Sequence, residues 1–224
     1  MKNLINIELK KLNLTGQIKG VVIANIIIFP LLAMIFITDG TPEYINAYEL
    51  VDVLIKSIFL VWQAVLISKL IVDEFKTKTI QQLYTYPLKR SAIMGAKIIL
   101  ITGIMIPFIW ATQLIQHSLF SGLSLVMPQQ LTYAISLQSM VVVALTSIFS
   151  IMVGMIPLAV GLWTKSTLAP PITAFVLLSV MGGTLGETSL GLLNNLIALF
   201  VIGMIGVVAS GMAIQDMMKK DLIV

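Results

Sequence analysis

Long apolar runs separated by short polar pieces dominate the chain, and most of these runs are apolar on every side rather than along one stripe. A helix of that kind is buried in a large core or in a bilayer, and crossing the hydrocarbon takes ~20 residues. The pattern predicts an all-α membrane protein with six transmembrane helices. Span 1 covers about Gly20 to Thr38, with a kink expected at Pro30, and span 2 covers Leu50 to Val72. Span 3 runs from Ser91 to Leu114, interrupted by Pro107, and span 4 from near Leu131 to Pro157 or Val160. Span 5 starts at Ala169 and loses apolar continuity at Gly182–Gly183, which leaves it short for the bilayer. Span 6 covers Leu196 to Ile214.

The polar pieces between spans carry a pattern of their own. Over residues 1–19, Asn3, Asn6, Lys10 and Asn13 share one helical face and Leu4, Ile5, Leu9 and Leu12 the other, as in an interfacial helix lying on an anionic leaflet. Every Lys and Arg except Lys56 falls on one side of a six-span arrangement. Because Lys and Arg stay on the cytoplasmic side, both termini and the loop from Asp73 to Arg90 are placed inside. The chain reads as one transmembrane domain over residues 1–224: an interfacial helix (1–19), six spans (20–214) and a cytoplasmic tail (215–224).

Composition agrees. Residues are 58% hydrophobic and 11% charged, with a mean hydropathy of +1.02. Soluble domains carry about a quarter charged residues, so a water-soluble globule is excluded. What lies outside the spans is cut into pieces too short for a catalytic domain of ~100–150 residues. There are no cysteines, hence no disulfides and no thiolate metal site.

Intramembrane chemistry needs ionisable groups at depth, at a cost of about 2.5–3.5 kcal/mol each on insertion scales. The spans hold almost none. The single histidine, His117, falls in the loop after span 3 and reads as a bystander. Asp52 and Lys56, four apart near the outer end of span 2, have the order that favours a mutual pair, and snorkelling toward that end would satisfy both. No Gly-Lys dipeptide occurs, so the phosphate loop of an ATPase is absent and any ATP must be hydrolysed by another chain. No feature calls for nucleic acid.

The most informative piece is DEFKTKTIQQLYTYPLKR, residues 73–90. Thr79 and Gln82 have capping-box spacing. Ile80, Leu83 and Tyr84 then form a small apolar face, and Pro87 ends the helix. A short amphipathic helix at the cytoplasmic surface, from Thr79 to Thr85, could lie on lipid or plug into a partner's groove. In this stretch the sequence resembles the membrane subunits of type-2 ATP-binding-cassette exporters. Their pattern appears as Glu74, Thr79, Ile80, Leu83, Pro87, Arg90 and Lys97, with Lys78 where a glycine is common. Within that group it resembles small bacterial permeases that remove antimicrobial peptides, including lantibiotic-immunity, bacitracin-resistance and cytolytic-peptide exporters.

The resemblance implies a bacterial cytoplasmic membrane protein that pairs with a second permease, identical or different, and with cytoplasmic ATPases that hold ATP and Mg. It implies that the helix between spans 2 and 3 is the coupling helix, with Glu74, Thr79, Ile80, Gln82, Leu83, Tyr84, Pro87 and Arg90 serving the ATPase contact. It also implies a re-entrant outer hairpin at GGTLGETSLGLLNN, between spans 5 and 6; the glycines and the short span 5 fit such a turn independently. Gly203, Gly206 and Ser210 have the spacing of close helix approach, either between subunits or within one. The thirteen methionines are read as core or lipid-facing. The expected function is ATP-driven export of an amphipathic or hydrophobic substrate, with a non-transporting membrane anchor or regulatory subunit as the alternative.

Overall fold

The computed structural model describes Leu9, residues 12–38, 47–76, 90–127, Tyr133, 136–182 and 195–220. Among these residues all regular structure is helical. The elements are α1 (Leu14–Thr38), α2 (Ala47–Ile67), a π-helical turn (Ser68–Val72), α3 (Asp73–Lys76), α4 (Arg90–Val126), α5 (Leu137–Val153), α6 (Ile156–Thr164), α7 (Ala169–Gly182) and α8 (Leu196–Lys220). Five helical runs are long and apolar enough to cross a membrane, and Ala169–Met181 is a shorter apolar helix. That pattern supports a multi-pass membrane protein. The interfacial helix, the coupling helix and the re-entrant hairpin fall on residues outside those described.

The centre is α2. It packs against α4, α5, α6 and α7, while α1 lies on α4, and α8 lies on α5 and α6. Accordingly 56% of the apolar window of the α2 run is buried, against 28% for α1 and α8. The peripheral helices turn residues such as Val22, Ile23, Ile26 and Ile27, or Val201 and Ile205, outward. A soluble monomer does not expose apolar faces of that extent; in a bilayer they are simply solvated by lipid.

Several boundaries differ from the sequence expectation. Helix α1 starts at Leu14, because the Asn13 side chain accepts from the Gly16 backbone N–H (3.1 Å) and acts as N-cap. Leu14–Lys19 therefore belong to the first membrane helix rather than to the leader. Helices α1 and α4 run on through Pro30 and Pro107. Helix α4 reaches Val126, so His117 is a helix residue and not a loop bystander. Nothing between Leu114 and Val126 stops a helix; the next breaker is Pro128. Helix α5 begins only at Leu137, capped by Ser136, whose hydroxyl accepts from Ser139 N–H (3.1 Å).

The fourth apolar run is broken between Val153 and Ile156. Pro157 has no N–H, and Met155 N–H turns to the Met152 carbonyl (3.0 Å), so the Ile151 carbonyl loses its usual helical donor. Gln63 of α2 supplies the replacement: its Nε2 donates to Ile151 O at 3.0 Å. Gly154 leaves room for this, since a Cβ there would stand 2.2 Å from Gln63 Oε1. A side chain inserted into the helical ladder is a recognised cause of a break.

Two small residues of α8, Gly203 and Gly206, sit close against other helices of the same chain. A Cβ on Gly203 would meet Met152 Cβ at 2.9 Å, and one on Gly206 would meet the Met152 carbonyl at 2.8 Å. Ser210 is buried and donates to the Val207 carbonyl (2.8 Å). Of the two alternatives left by the spacing, the described contacts are those of α8 on α5 in one chain.

Candidate functional site

Two polar clusters stand out in this apolar frame. The first lies where α2 leads into residues 77–89. The helical ladder widens to i→i+5 at Ser68–Val72, with Asp73 N–H bonded to the Ser68 carbonyl, and π turns of this kind recur at functional sites. Lys97 of α4, 1% exposed, donates from Nζ to the Leu70 carbonyl within that turn (3.0 Å) and pairs with Glu74 Oε1 (2.8 Å). On the other side of the turn, Ser68 Oγ donates to the Thr167 carbonyl in the α6–α7 connection. That connection is shaped by Lys165, which closes α6 in the left-handed region at φ 52°. Val72 packs where a Cβ on Gly161 would meet it at 2.8 Å, with Pro170 at 2.6 Å from the same point.

Glu74 and Lys97, which stand 23 positions apart and on opposite sides of residues 77–89, are thus brought together. Arg90 opens α4. Thr79, Ile80, Gln82, Leu83, Tyr84 and Pro87 lie outside the described residues, and so does the helix they were expected to form. What the structure displays is the frame that holds both ends of that segment: α2 and α4 are locked to each other, and α2 to the α6–α7 turn.

The second cluster is buried among α2, α4 and α5. Asp52 and Lys56 form an ion pair with both side chains fully buried. Snorkelling is not what holds Lys56; its Nζ is turned inward and donates to Thr146 Oγ1 (2.6 Å). Gln113 uses its two amide hydrogens on Asp52 Oδ1 (2.8 Å) and Ser147 Oγ (2.6 Å). Thr146 and Ser147 in turn donate to the Val143 carbonyl (3.1 and 2.6 Å). A buried ionised pair needs further hydrogen bonds, and Gln113 of α4 and Thr146 of α5 supply one to each partner.

A neighbouring polar set ties α1 to α4. Asn25 Nδ2 donates to Thr112 Oγ1 (3.1 Å), and Gln116 Nε2 donates to the Asn25 backbone carbonyl (3.0 Å) and Oδ1 (3.1 Å). At the next residue, His117 Nδ1 meets the Tyr133 hydroxyl at 2.5 Å, and the Tyr133 ring stacks on Phe120 at 5.8 Å. None of Asn25, Thr112, Gln113, Gln116, Thr146 and Ser147 was singled out from the sequence. A signal was present: T-Q-L-I-Q-H at 112–117 puts polar groups one turn apart within an apolar run.

Among the described residues no cluster of three or more metal-ligating side chains occurs. A family model described as ABC-2 family transporter protein matches residues 4–182. The chain is 28% identical over 228 residues to the Bacillus subtilis protein described as uncharacterized protein YcbO, an alignment that covers 98% of this chain and 99% of that one. No solved structure matches.

Proposed function

This chain belongs to the ABC-2 family of transporter proteins, and on that premise we propose how it works as the membrane subunit of an ATP-driven exporter. Members of the family are multi-pass cell-membrane proteins without an ATPase domain of their own. A separate ATP-binding-cassette ATPase, carrying ATP and Mg, supplies the energy, and a second permease, identical or different, completes the pathway. The cargo is an amphipathic or hydrophobic molecule, of the kind represented by antimicrobial and cytolytic peptides. An aliphatic wall with few charges suits a substrate that has already partitioned into the bilayer.

The observation that carries the reading is the Glu74–Lys97–Leu70 contact. Residues 77–89 hold the Thr79–Thr85 amphipathic stretch that would seat in the ATPase. Their two flanks, α3 and the start of α4, are joined by Lys97, and Lys97 also grips the π turn of the central helix. A displacement of that segment when the ATPases close would therefore pass into α2 and, through Ser68 and Thr167, into α6 and α7. Elements so connected move as a body rather than absorbing the displacement locally. The placement of Lys and Arg along the sequence supports an arrangement with both termini and residues 77–89 on the cytoplasmic side.

The test is affinity purification of the chain from its host membrane, followed by mass spectrometry and an ATPase assay. The exporter reading expects a Walker-motif ATPase in near-stoichiometric amount, and a Leu83→Asp/Tyr84→Ala variant that inserts normally but no longer stimulates it. Recovery of the chain alone, or with a partner that is no ATPase, would favour a non-transporting anchor instead.

A further inference from the structure

Beside the buried ion pair, between the first turn of α2, the second half of α4 and the start of α5, lies a groove of about 420 Å³. That is within the usual ~300–1,000 Å³ of small-molecule sites. Its outer walls are apolar and face the bilayer: Trp110 is 40% exposed, Leu114 67% and Met140 51%. The rest of its lining mixes Val143 and Ala144 with polar groups, Tyr48, Gln113, His117 and the hydroxyls of Ser118, Ser121 and Ser139. Among the described residues no Asp, Glu, Lys or Arg lines it. The nearby charges are already matched, since Asp52 and Lys56 are paired behind the groove wall.

Gln113 sets the chemistry of the occupant. Both its N–H hydrogens are committed to Asp52 and Ser147, so what its amide has left for an occupant is its carbonyl oxygen, an acceptor. Ser118 donates its own hydrogen to the Leu114 carbonyl (2.7 Å), which leaves its oxygen as an acceptor too. An occupant with a hydroxyl or amide donor is therefore held at these two oxygens without bringing net charge, and an apolar portion covers the exposed wall.

We propose that this groove binds an uncharged amphiphile drawn laterally from the bilayer. Its hydroxyl- or amide-bearing head sits on Gln113 and Ser118, and its apolar chain lies along Trp110, Leu114 and Met140. The identification of that occupant as cargo rests on the exporter reading above; the groove and its chemistry do not. Because Gln113 joins the groove to Asp52 of α2 and Ser147 of α5, occupancy is felt by the same central helix that Lys97 grips at its other end.

The experiment uses the full chain without any ATPase, in phosphatidylcholine–phosphatidylglycerol vesicles. The probe is a dodecyl maltoside analogue with a diazirine in its alkyl chain, read by photolabelling and peptide mass spectrometry. The expected result is saturable labelling at Trp110, Leu114 and Met140, displaced by unlabelled dodecyl maltoside. Dodecyl trimethylammonium and dodecyl sulfate should displace it about tenfold less well, a difference of about 1.4 kcal/mol. Ser121→Trp, which fills the groove from an exposed position, should lower this labelling by a similar factor and leave background labelling at Phe175 and Val201 unchanged.

Labelling that never saturates and falls equally on Phe175 and Val201 would overturn the proposal, since the groove is then ordinary lipid-facing surface. So would absent labelling together with disulfide-linked dimers of a Leu114→Cys variant, because the groove is then covered by a second copy. If the groove labels as expected but no ATPase copurifies, the exporter reading fails and the binding site stands.

Discussion

The ammonium of Lys97 donates to the carbonyl of Leu70 at 3.0 Å, across the helix pair α2–α4 and inside a π-helical turn. The same ammonium pairs with Glu74 at 2.8 Å, so one side chain joins both flanks of residues 77–89 to the central helix. Removing the charge should therefore do two things. Lys97→Met takes this partner from a buried carbonyl and a mostly buried carboxylate, and thermal unfolding in detergent should show a loss toward the lower end of ~3–5 kcal/mol. In the assembled transporter it should also lower substrate-stimulated ATP hydrolysis well beyond the effect of Glu74→Gln, which keeps a hydrogen-bond acceptor. Equal effects of the two variants would mean that the Leu70 contact transmits nothing.

The buried Asp52–Lys56 pair predicts a non-additive cycle. Asp52→Asn or Lys56→Met alone strands one charge in an apolar interior, and each should destabilise by ~3–5 kcal/mol. The double variant removes both charges and should recover most of that loss. A denaturation cycle that is additive within about 0.5 kcal/mol would show that the two residues are not coupled.

Gly154 and Gln63 form a second coupled pair. Gly154→Ala drives a methyl into the Gln63 amide, 2.2 Å from Oε1, and overpacking of this kind costs ~1–3 kcal/mol. In a Gln63→Ala background the clash is gone, so adding Gly154→Ala should then cost little. The Tm differences among the four proteins decide it.

Within α8, Gly206→Ala should destabilise the isolated subunit, since its Cβ would stand 2.8 Å from the Met152 carbonyl. Gly211→Ala, which meets nothing within 4 Å, should be neutral or stabilising by up to about 1 kcal/mol. Loss of oligomers with unchanged subunit stability in Gly206→Ala would place that face between subunits instead.

The orientation is open to direct labelling, because the chain has no native cysteine. With both termini inside, Tyr84→Cys should react with a membrane-impermeant maleimide only after the cells are opened, and Thr41→Cys should react on intact cells. The reverse pattern would invert the topology.

Much of this protein was readable from its residues. Apolar runs of sufficient length dictate helices in a bilayer, because backbone groups there must be satisfied within the segment. Glu74 and Lys97 were both visible as parts of a family pattern. Where the helices end was less legible: Leu14 rather than Gly20, Val126 rather than Leu114, and Leu137 rather than Leu131. Those ends depend on caps such as Asn13 and Ser136, and on the absence of a breaker before Pro128, which local hydropathy does not register.

Hydropathy and charge alone determined the membrane class and the approximate positions of the spans. These are properties summed along the chain. The tertiary structure decided which few polar side chains in the spans meet. Lys56 turns inward because Thr146 and Asp52 await it there, Gln63 caps a carbonyl left free when Met155 N–H turns to Met152, and Gln113 joins α2 to α5. The partnerships between helices connect residues 34 to 90 positions apart, and a buried polar group takes whichever partner the packing brings within reach, which no local pattern specifies.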